Sequence, residues 1–199
     1  MALNFYLRNW VVCGLLSGFA APSLAQTNLE VLPSPISGIE LIGPSQAGFE
    51  GIVEKLVPGP GSRTALEPVL PYSVAVHNSA ERTVVCYTIR FDYSANGRPA
   101  ASVLTRDYRT SEPKLVGAVF HLIAPLGAVT QAIATGGSPL LPQDPSYPAL
   151  MKRIHDLRQS PRVVASLDSV VYEGGEFVGP DVSGSFESIN AKTEISSDR

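Results

Sequence analysis

The stretch of sequence that decides the fold is Thr83-Val-Val-Cys-Tyr-Thr-Ile-Arg-Phe-Asp-Tyr93. Every second residue in it is apolar, and this apolar set is Val85, Tyr87, Ile89, Phe91 and Tyr93. The residues between them form a mixed, more polar set: Val84, Cys86, Thr88, Arg90 and Asp92. Because successive side chains of a strand point to opposite faces, the alternation predicts a β-strand with one face in the core.

The sequence on either side continues with strands and turns. Tyr72–His77 alternates in the same way and is joined to the central stretch by the polar turn Asn78–Arg82. After the central stretch, Asn96-Gly97 is a pair that tolerates the positive φ of a two-residue hairpin. The returning strand is predicted at Pro99–Thr105, with proline at the first position, where a missing N–H is tolerated.

A run of twenty residues without a charge, Leu115–Ala134, allows two interpretations. The run is long enough for a transmembrane helix. At its centre, however, Pro125-Leu-Gly127 breaks a helix and suits a turn. We therefore predict two buried strands, Leu115–Ile123 and Ala128–Ile133, because strands covered on both faces lose their alternation. A membrane anchor formed by residues 115–134 stays open as the alternative.

Helical spacing and a second hairpin complete the pattern. Apolar residues at helical spacing predict short amphipathic helices at Phe49–Leu56 and Leu150–Leu157. A strand at Arg162–Glu173 follows, and Gly174-Gly175 closes a hairpin with Glu176–Val178. A two-residue loop there would set the aromatic side chain before the turn, Tyr172, opposite the one after it, Phe177.

The first 25 residues have the three zones of a secretory signal in order. Arg8 is the only charged residue of the opening, and an uncharged apolar run from Trp10 to Ala21 follows it. Ser23-Leu24-Ala25 then supplies the small residues that a signal peptidase reads. A dozen apolar residues are too few to span a bilayer as a helix. We predict cleavage after Ala25 and export to the periplasm or the medium.

We predict four segments: a signal peptide at 1–25, an extended leader at 26–46 with one edge strand near Ile39–Ile42, a β-sandwich domain at 47–181, and a C-terminal helical tail at 182–199 capped by Asp181. The fold class is mainly β, with two or three short peripheral helices. The seventeen glycines and seventeen prolines suit many short strands and turns. Cys86 is the only cysteine after the signal, so no internal disulfide can form.

The central strands resemble a known family at the level of the fold. Pro71–Ser79 followed by Val84–Phe91 resembles the B and C strands of immunoglobulin- or fibronectin III-like domains in exported bacterial proteins. Ile123–Gly127 is similar to a Pro-x-Gly turn of such domains, and Leu167–Asp181 resembles the end of uncharacterised exported proteins. The paired cysteines and core tryptophan of antibody domains are missing, since the sole tryptophan is Trp10. The resemblance implies a sandwich and an exported location, and a fold of this kind carries no particular activity.

Candidate chemical groups are sparse. His77, His121 and His155 fall in different elements without the spacing of metal ligands, and we interpret them as structural. Cys86 could form a nucleophile–base dyad with His77 only if their two strands pair with each other; a small buried side chain is the simpler interpretation. Four acids lie around the Gly174-Gly175 turn: Asp168, Glu173, Glu176 and Asp181. Calcium is one interpretation, but their spacing matches no calcium loop, and a solvated hairpin tip with an acidic helix cap explains them without an ion.

The sequence favours a binding module over an enzyme. We assign no catalytic, cofactor-binding or metal-binding residue and predict no cofactor, because no catalytic motif is present. With 15 basic and 18 acidic residues and a net charge of −3, the chain has no broad electrostatic reason to bind nucleic acid. We predict a protein or cell-envelope partner, bound through loops or a sheet edge, and no stable membrane insertion. A hydrolase using Cys86 or an acidic pair, and an envelope protein anchored by residues 115–134, remain alternatives.

Overall fold

The structure is a computed structural model, and it describes residues 28–56, 63–64, 66–107, 120–123 and 147–189. The main elements of these ranges are two longer helices, eight strands and a 3₁₀ turn at Leu70–Tyr72. In chain order they are β1 Leu29–Val31, β2 Ile39–Ile42, α1 Phe49–Leu56, β3 Val74–Asn78, β4 Val84–Ala95, β5 Arg98–Asp107, β6 Phe120–Ile123, α2 Tyr147–Gln159, β7 Val163–Tyr172 and β8 Phe177–Val178. The fold is therefore mainly β with short helices, as predicted.

The strands form two sheets. The larger sheet has the order β1-β7-β4-β5, with β8 also paired to β7, and the smaller has the order β2-β3-β6. All of the pairings are antiparallel except that of β1 with β7, which is parallel. The chain crosses from one sheet to the other at the turn between β3 and β4.

One hydrophobic core lies between the two sheets. Tyr87, Ile89 and Phe91 of β4 are fully buried and belong to the same cluster as Val74 and Val76 of β3. Leu157 of helix α2 is also fully buried and belongs to the same cluster. Tyr87, Ile89 and Phe91 therefore lie in a hydrophobic core, as their alternation predicted.

The start of β4 departs from the predicted alternation. Val84 lies opposite Tyr172 of β7, but the next paired residue is Cys86, which lies opposite Val171. Val85 is thus the extra residue of a β-bulge, and such an insertion shifts the side chains before it to the other face. As a result Val84 joins the main core, while Val85 packs on the outer side with Cys86. The prediction that placed Val85 on the core face was wrong.

The two predicted hairpins had different outcomes. Asn96 and Gly97 have φ of 53° and 72° and connect Ala95 directly to Arg98, so the two-residue hairpin is confirmed. In the second hairpin, the N–H of Tyr172 donates to the carbonyl of Glu176, and three residues form the loop. Phe177 therefore lies opposite Val171.

The predicted pair of Tyr172 with Phe177 was wrong because the loop is one residue longer on the Glu173 side. Tyr172 packs in the main core instead, and the guanidinium of Arg82 lies 3.9 Å from the centre of its ring. The same arginine forms an ion pair of 2.6 Å with Glu176. The side chain of Phe177 packs on the outer side of the sheet against Val171.

Both predicted amphipathic helices are present, at α1 and α2. The leader at 26–46 contributes one strand to each sheet, β1 and β2, where a single edge strand was expected. Within the predicted tail, residues 182–183 form a turn and residues 185–189 are helical. Asp181 accepts hydrogen bonds from the N–H groups of Ser185 at 2.6 Å and Phe186 at 3.2 Å, and so caps this helix from four residues before its start, where the prediction had placed it directly before the helix.

Four residues of the uncharged run Leu115–Ala134 form a strand in the structure. β6 occupies Phe120–Ile123 and pairs with β3, which agrees with the predicted strand at Leu115–Ile123 over those four residues. The other predicted strand, Ala128–Ile133, and the signal at 1–25 lie outside the described residues. Among the helices that the structure describes, none has the length and apolar character needed to cross a bilayer.

Candidate interaction surface

The outer edge of β5 is a margin of the larger sheet. Pro99 lies opposite Ser94, and the N–H of Ser94 donates to the Oγ of Ser160 at 2.9 Å, on the side away from β5. Ser94 and Pro99 are therefore a pair without hydrogen bonds between them. Because hydrogen-bonded and non-bonded pairs alternate in an antiparallel ladder, every second residue from Pro99 directs its backbone groups away from β4.

Three residues in the middle of this edge carry both an outward N–H and an outward carbonyl: Ala101, Val103 and Thr105. All three are exposed, and Val103 is 43% exposed. Within the described ranges, no strand pairs with β5 on this side. An exposed row of backbone donors and acceptors is a template for another strand.

The edge also lacks the usual protection against such pairing. From Pro99 to Thr105 no residue is charged, and the charged residues Arg98, Arg106 and Asp107 stand only at the two ends. Natural edge strands are commonly blunted by a charge in the middle, a bulge or a very short length. β5 has ten residues, and its register with β4 is continuous. Among residues 99–105, only Pro99 limits the pairing of another strand with this edge, because proline has no N–H to donate.

The outer face of the sheet beside this edge is fixed by side-chain contacts. The hydroxyls of Thr88 and Thr105 are 3.1 Å apart across the two strands. Arg90 donates from Nε and Nη2 to the carboxylate of Asp92 at 2.7–2.9 Å, and these hydrogen bonds raise the pKa of Arg90. The charges of Arg90 and Asp92, next to Val103, therefore compensate each other.

The opposite margin of the same sheet, along β7, is covered. β1 pairs with its first residues, Val163 to Ala165, and β8 pairs with Val170 and Val171. Between these strands the N–H of Leu32 donates to the carbonyl of Ala165 at 2.9 Å, and the N–H of Asp181 donates to that of Asp168 at 3.1 Å. Successive segments of the chain thus occupy this edge.

Two of the four predicted acids lie together at the covered margin. Asp168 is 2% exposed, and its carboxylate accepts from the N–H of Val182 at 2.8 Å and from the N–H and hydroxyl of Ser183. Asp181 caps the helix at 185–189 instead. These hydrogen bonds account for both carboxylates as structural groups.

The other two acids are not brought into this cluster. Glu176 pairs with Arg82, and the backbone N–H of Glu173 donates to the carbonyl of Thr83 at 2.9 Å. In the part of the chain that the structure describes, no three His, Cys, Asp or Glu side chains are grouped to hold a metal ion.

The dyad considered for Cys86 and His77 does not form, because their strands belong to different sheets. Cys86 lies opposite Asp107 and Val171, and its side chain is fully buried in a small cluster with Ile189. The imidazole Nδ1 of His77 lies 3.5 Å from the carboxylate of Glu40 on β2. The simpler interpretation of Cys86 as a small buried side chain agrees with this packing.

The remaining histidines lie in separate elements. His121 occupies a position of β6 opposite Val76, and His155 is on the exposed side of α2. His155 lines an open cleft of about 400 Å³ at the tip of the β4–β5 hairpin, together with polar residues of the hairpin and of α2. Asp156 in this cleft accepts a hydrogen bond from Lys152 at 2.9 Å, as expected for a solvated helix face.

Comparison with known proteins finds no family model, no curated protein and no solved structure that matches this chain. The interaction surface must therefore be judged on its own geometry. Sequence reasoning named sheet edges in general but missed the residues Ala101, Val103 and Thr105. The signal that could have found them is the uncharged stretch between Arg98 and Arg106, directly after the Asn96-Gly97 turn.

Proposed function

We propose that this protein is an exported binding module that takes up an extended segment of a protein partner as an additional strand on β5. The observation that carries the proposal is the exposed, uncharged middle of this edge, from Pro99 to Thr105, with the outward backbone groups of Ala101, Val103 and Thr105. In recognition by strand addition, main-chain hydrogen bonds supply affinity and alternate side chains supply specificity.

The strand order supports assignment to the immunoglobulin-like sandwiches. In that class, strands A, B and E share one sheet, and C, F and G share the other, which some members extend by C′. The order β2-β3-β6 corresponds to A-B-E, and β5-β4-β7-β8 corresponds to C′-C-F-G. In this assignment β5 is C′, the margin farthest from the strands that cover β7. The parallel strand β1 is an addition to the pattern.

Export is the second part of the proposal. It is supported by the three zones of residues 1–25 and by a mature chain with a single cysteine, Cys86, which is fully buried and so protected in an oxidising compartment. Mass spectrometry of the protein recovered from the envelope and the medium should show Gln26 as its first residue. Retention of Met1 in an intracellular fraction would refute export.

Partner binding is best tested by crosslinking in the native envelope. The bait carries a photo-crosslinker at Thr105, and capture is compared between the wild-type edge, Val103→Lys and Val182→Lys. Both valines are exposed, by 43% and 67%, but only Val103 lies on the edge of β5. We expect Val103→Lys to abolish specific capture and Val182→Lys to retain it. Equal capture by both variants would exclude β5 as the binding edge.

A further inference from the structure

We infer that one occupant of the β5 edge is the β5 strand of a second copy of this chain, paired antiparallel about a two-fold axis at Val103. The inference rests on the proposed function, because both require this edge to accept a strand. Soluble homo-oligomers are most commonly two-fold dimers, in which the same patch of each subunit forms the interface. The edge of β5 meets the requirement that such a patch be complementary to itself.

The backbone groups set the possible registers. In an added antiparallel strand, residues with outward N–H and carbonyl groups must lie opposite residues of the same kind. When Val103 lies opposite Val103 of the second copy, Ala101 lies opposite Thr105 on both sides of the axis. The three pairs exchange about six main-chain hydrogen bonds in the ladder of bonded pairs. Pro99, which has no N–H to donate, lies outside these three pairs, at the end of the paired strands.

Charge disfavours one of the two neighbouring registers. With Val103 on the axis, Arg106 lies opposite Ala100 and Asp107 lies opposite Pro99, so like charges never face each other. A shift toward the hairpin, centred on Ser102, would place Arg98 opposite Arg106, and like charges directly opposite are destabilising. A shift the other way, centred on Leu104, would place Val103 opposite Thr105 and so separate the two Val103 side chains.

Side-chain contacts add to the main-chain bonds. The two exposed Val103 side chains would meet across the axis on the outer face of the joined sheets, and β-branched pairs contribute to strand pairing. The pairing is short, since three residues of each copy supply the bonds. Complexes with small interfaces are weak and transient. We therefore infer a dimer that forms and dissociates with concentration and that gives way to a better partner strand.

Sedimentation velocity of the purified full chain over a wide range of concentrations tests the inference. We expect a reversible monomer–dimer equilibrium whose association constant falls at least tenfold in Val103→Lys, because two lysines then face each other. The matched control Val182→Lys, which lies on the other margin, should dimerise like the wild type. A wild-type protein that stays monomeric, or a Val103→Lys variant that dimerises normally, would overturn the inference.

A charge-reversal mixture tests the two-fold axis itself. Val103→Lys and Val103→Glu should each be monomeric, whereas an equimolar mixture should form a mixed dimer, because residue 103 of one copy lies opposite residue 103 of the other. Absence of the mixed dimer, when the wild type dimerises, would refute this register. If the chain is monomeric but its capture of an envelope partner depends on Val103, the dimer is refuted and the proposed function stands.

Discussion

The two margins of the larger sheet differ in whether other segments of the chain hydrogen-bond to their backbone groups. Along β7, successive segments of the chain occupy the edge: β1, the N–H of Leu32, the N–H of Asp181 and finally β8. Along β5, no strand of the described residues pairs with the outer edge, and its middle is uncharged. The comparison indicates that the chain covers one margin of this sheet with its own segments, while the described residues leave the margin at β5 unpaired.

The largest loss of stability is expected from replacing Asp168, whose carboxylate binds the chain that covers the margin at β7. In Asp168→Ala, the N–H groups of Val182 and Ser183 lose a buried, charged acceptor, and a hydrogen bond to a charged group contributes about 1.5–3 kcal/mol. We expect the free energy of unfolding to fall by about 3–4 kcal/mol. Urea denaturation measures the change.

Asp168→Asn is the control for this change, because the amide keeps one acceptor oxygen in the same place. It should recover a large part of the lost stability. A loss below about 1 kcal/mol in Asp168→Ala, the level of an exposed hydrogen bond, would show that the covered margin does not depend on this carboxylate.

The next largest loss of stability is expected from a proline substitution in β5, which tests which backbone N–H groups of this strand point away from β4. Ala100 and Ala101 are neighbours of the same type, but the N–H of Ala100 points to β4 and that of Ala101 points outward. Proline tolerates only positions whose N–H is not used in the ladder. Ala100→Pro should therefore cost about 3 kcal/mol and Ala101→Pro less than about 1 kcal/mol.

Thermal unfolding of the two proline variants, read as the difference between their midpoints, provides the measurement. Equal destabilisation would mean that the N–H of Ala101 is also bonded, and the outer edge of β5 would then not be open. The reverse order would place the ladder of hydrogen bonds one residue out of the register described here.

A loss of stability similar to that of Ala100→Pro is expected at the glycine where the chain crosses the covered margin. A Cβ on Gly179 would lie 2.4 Å from the carbonyl oxygen of Asp168, and this glycine has φ of +141°. Gly174, with φ of +109°, has nothing within 4 Å of such a Cβ and serves as the control. Gly174→Ala should cost about 1 kcal/mol from backbone strain alone, and Gly179→Ala about 2 kcal/mol more. Equal losses in denaturant titrations would contradict the close approach of residue 179 to β7.

The smallest effect on stability should come from the open margin itself. Val103→Lys replaces an exposed side chain, so we expect the free energy of unfolding to change by less than about 0.5 kcal/mol. The same holds for Val182→Lys. A loss above about 1.5 kcal/mol in Val103→Lys, measured by urea denaturation, would mean that Val103 supports the fold, and its effect on binding could not then be assigned to the edge.

How much of this could be predicted from the sequence depends on the range of the interactions. The alternation of β4, the turn at Asn96-Gly97 and the helix Phe49–Leu56 are local patterns, and the structure confirms them. The bulge at Val85 was not predictable, because it adds one residue to β4 only in relation to β7. A single inserted residue leaves no mark on composition, yet it reverses the faces of the residues before it.

The two margins were least accessible to sequence reasoning. The acids around the Gly174-Gly175 turn were visible, but the partners of Asp168 are backbone N–H groups fourteen and fifteen residues away. The parallel pairing of β1 with β7 joins residues more than a hundred positions apart. Whether a strand is central or at an edge depends on such pairings, so the alternation of β5 could predict its faces but not its open margin.

Hydrogen exchange of individual amides on β5 tests the central claim most directly. In dilute protein, the amides of Ala101, Val103 and Thr105 should exchange rapidly, while those of Ala100, Ser102 and Leu104 are protected by their bonds to β4. On self-association or binding of a partner strand, the first three should become protected together. Six amides that are equally protected in dilute protein, or three outward amides that stay unprotected in the complex, would contradict the account.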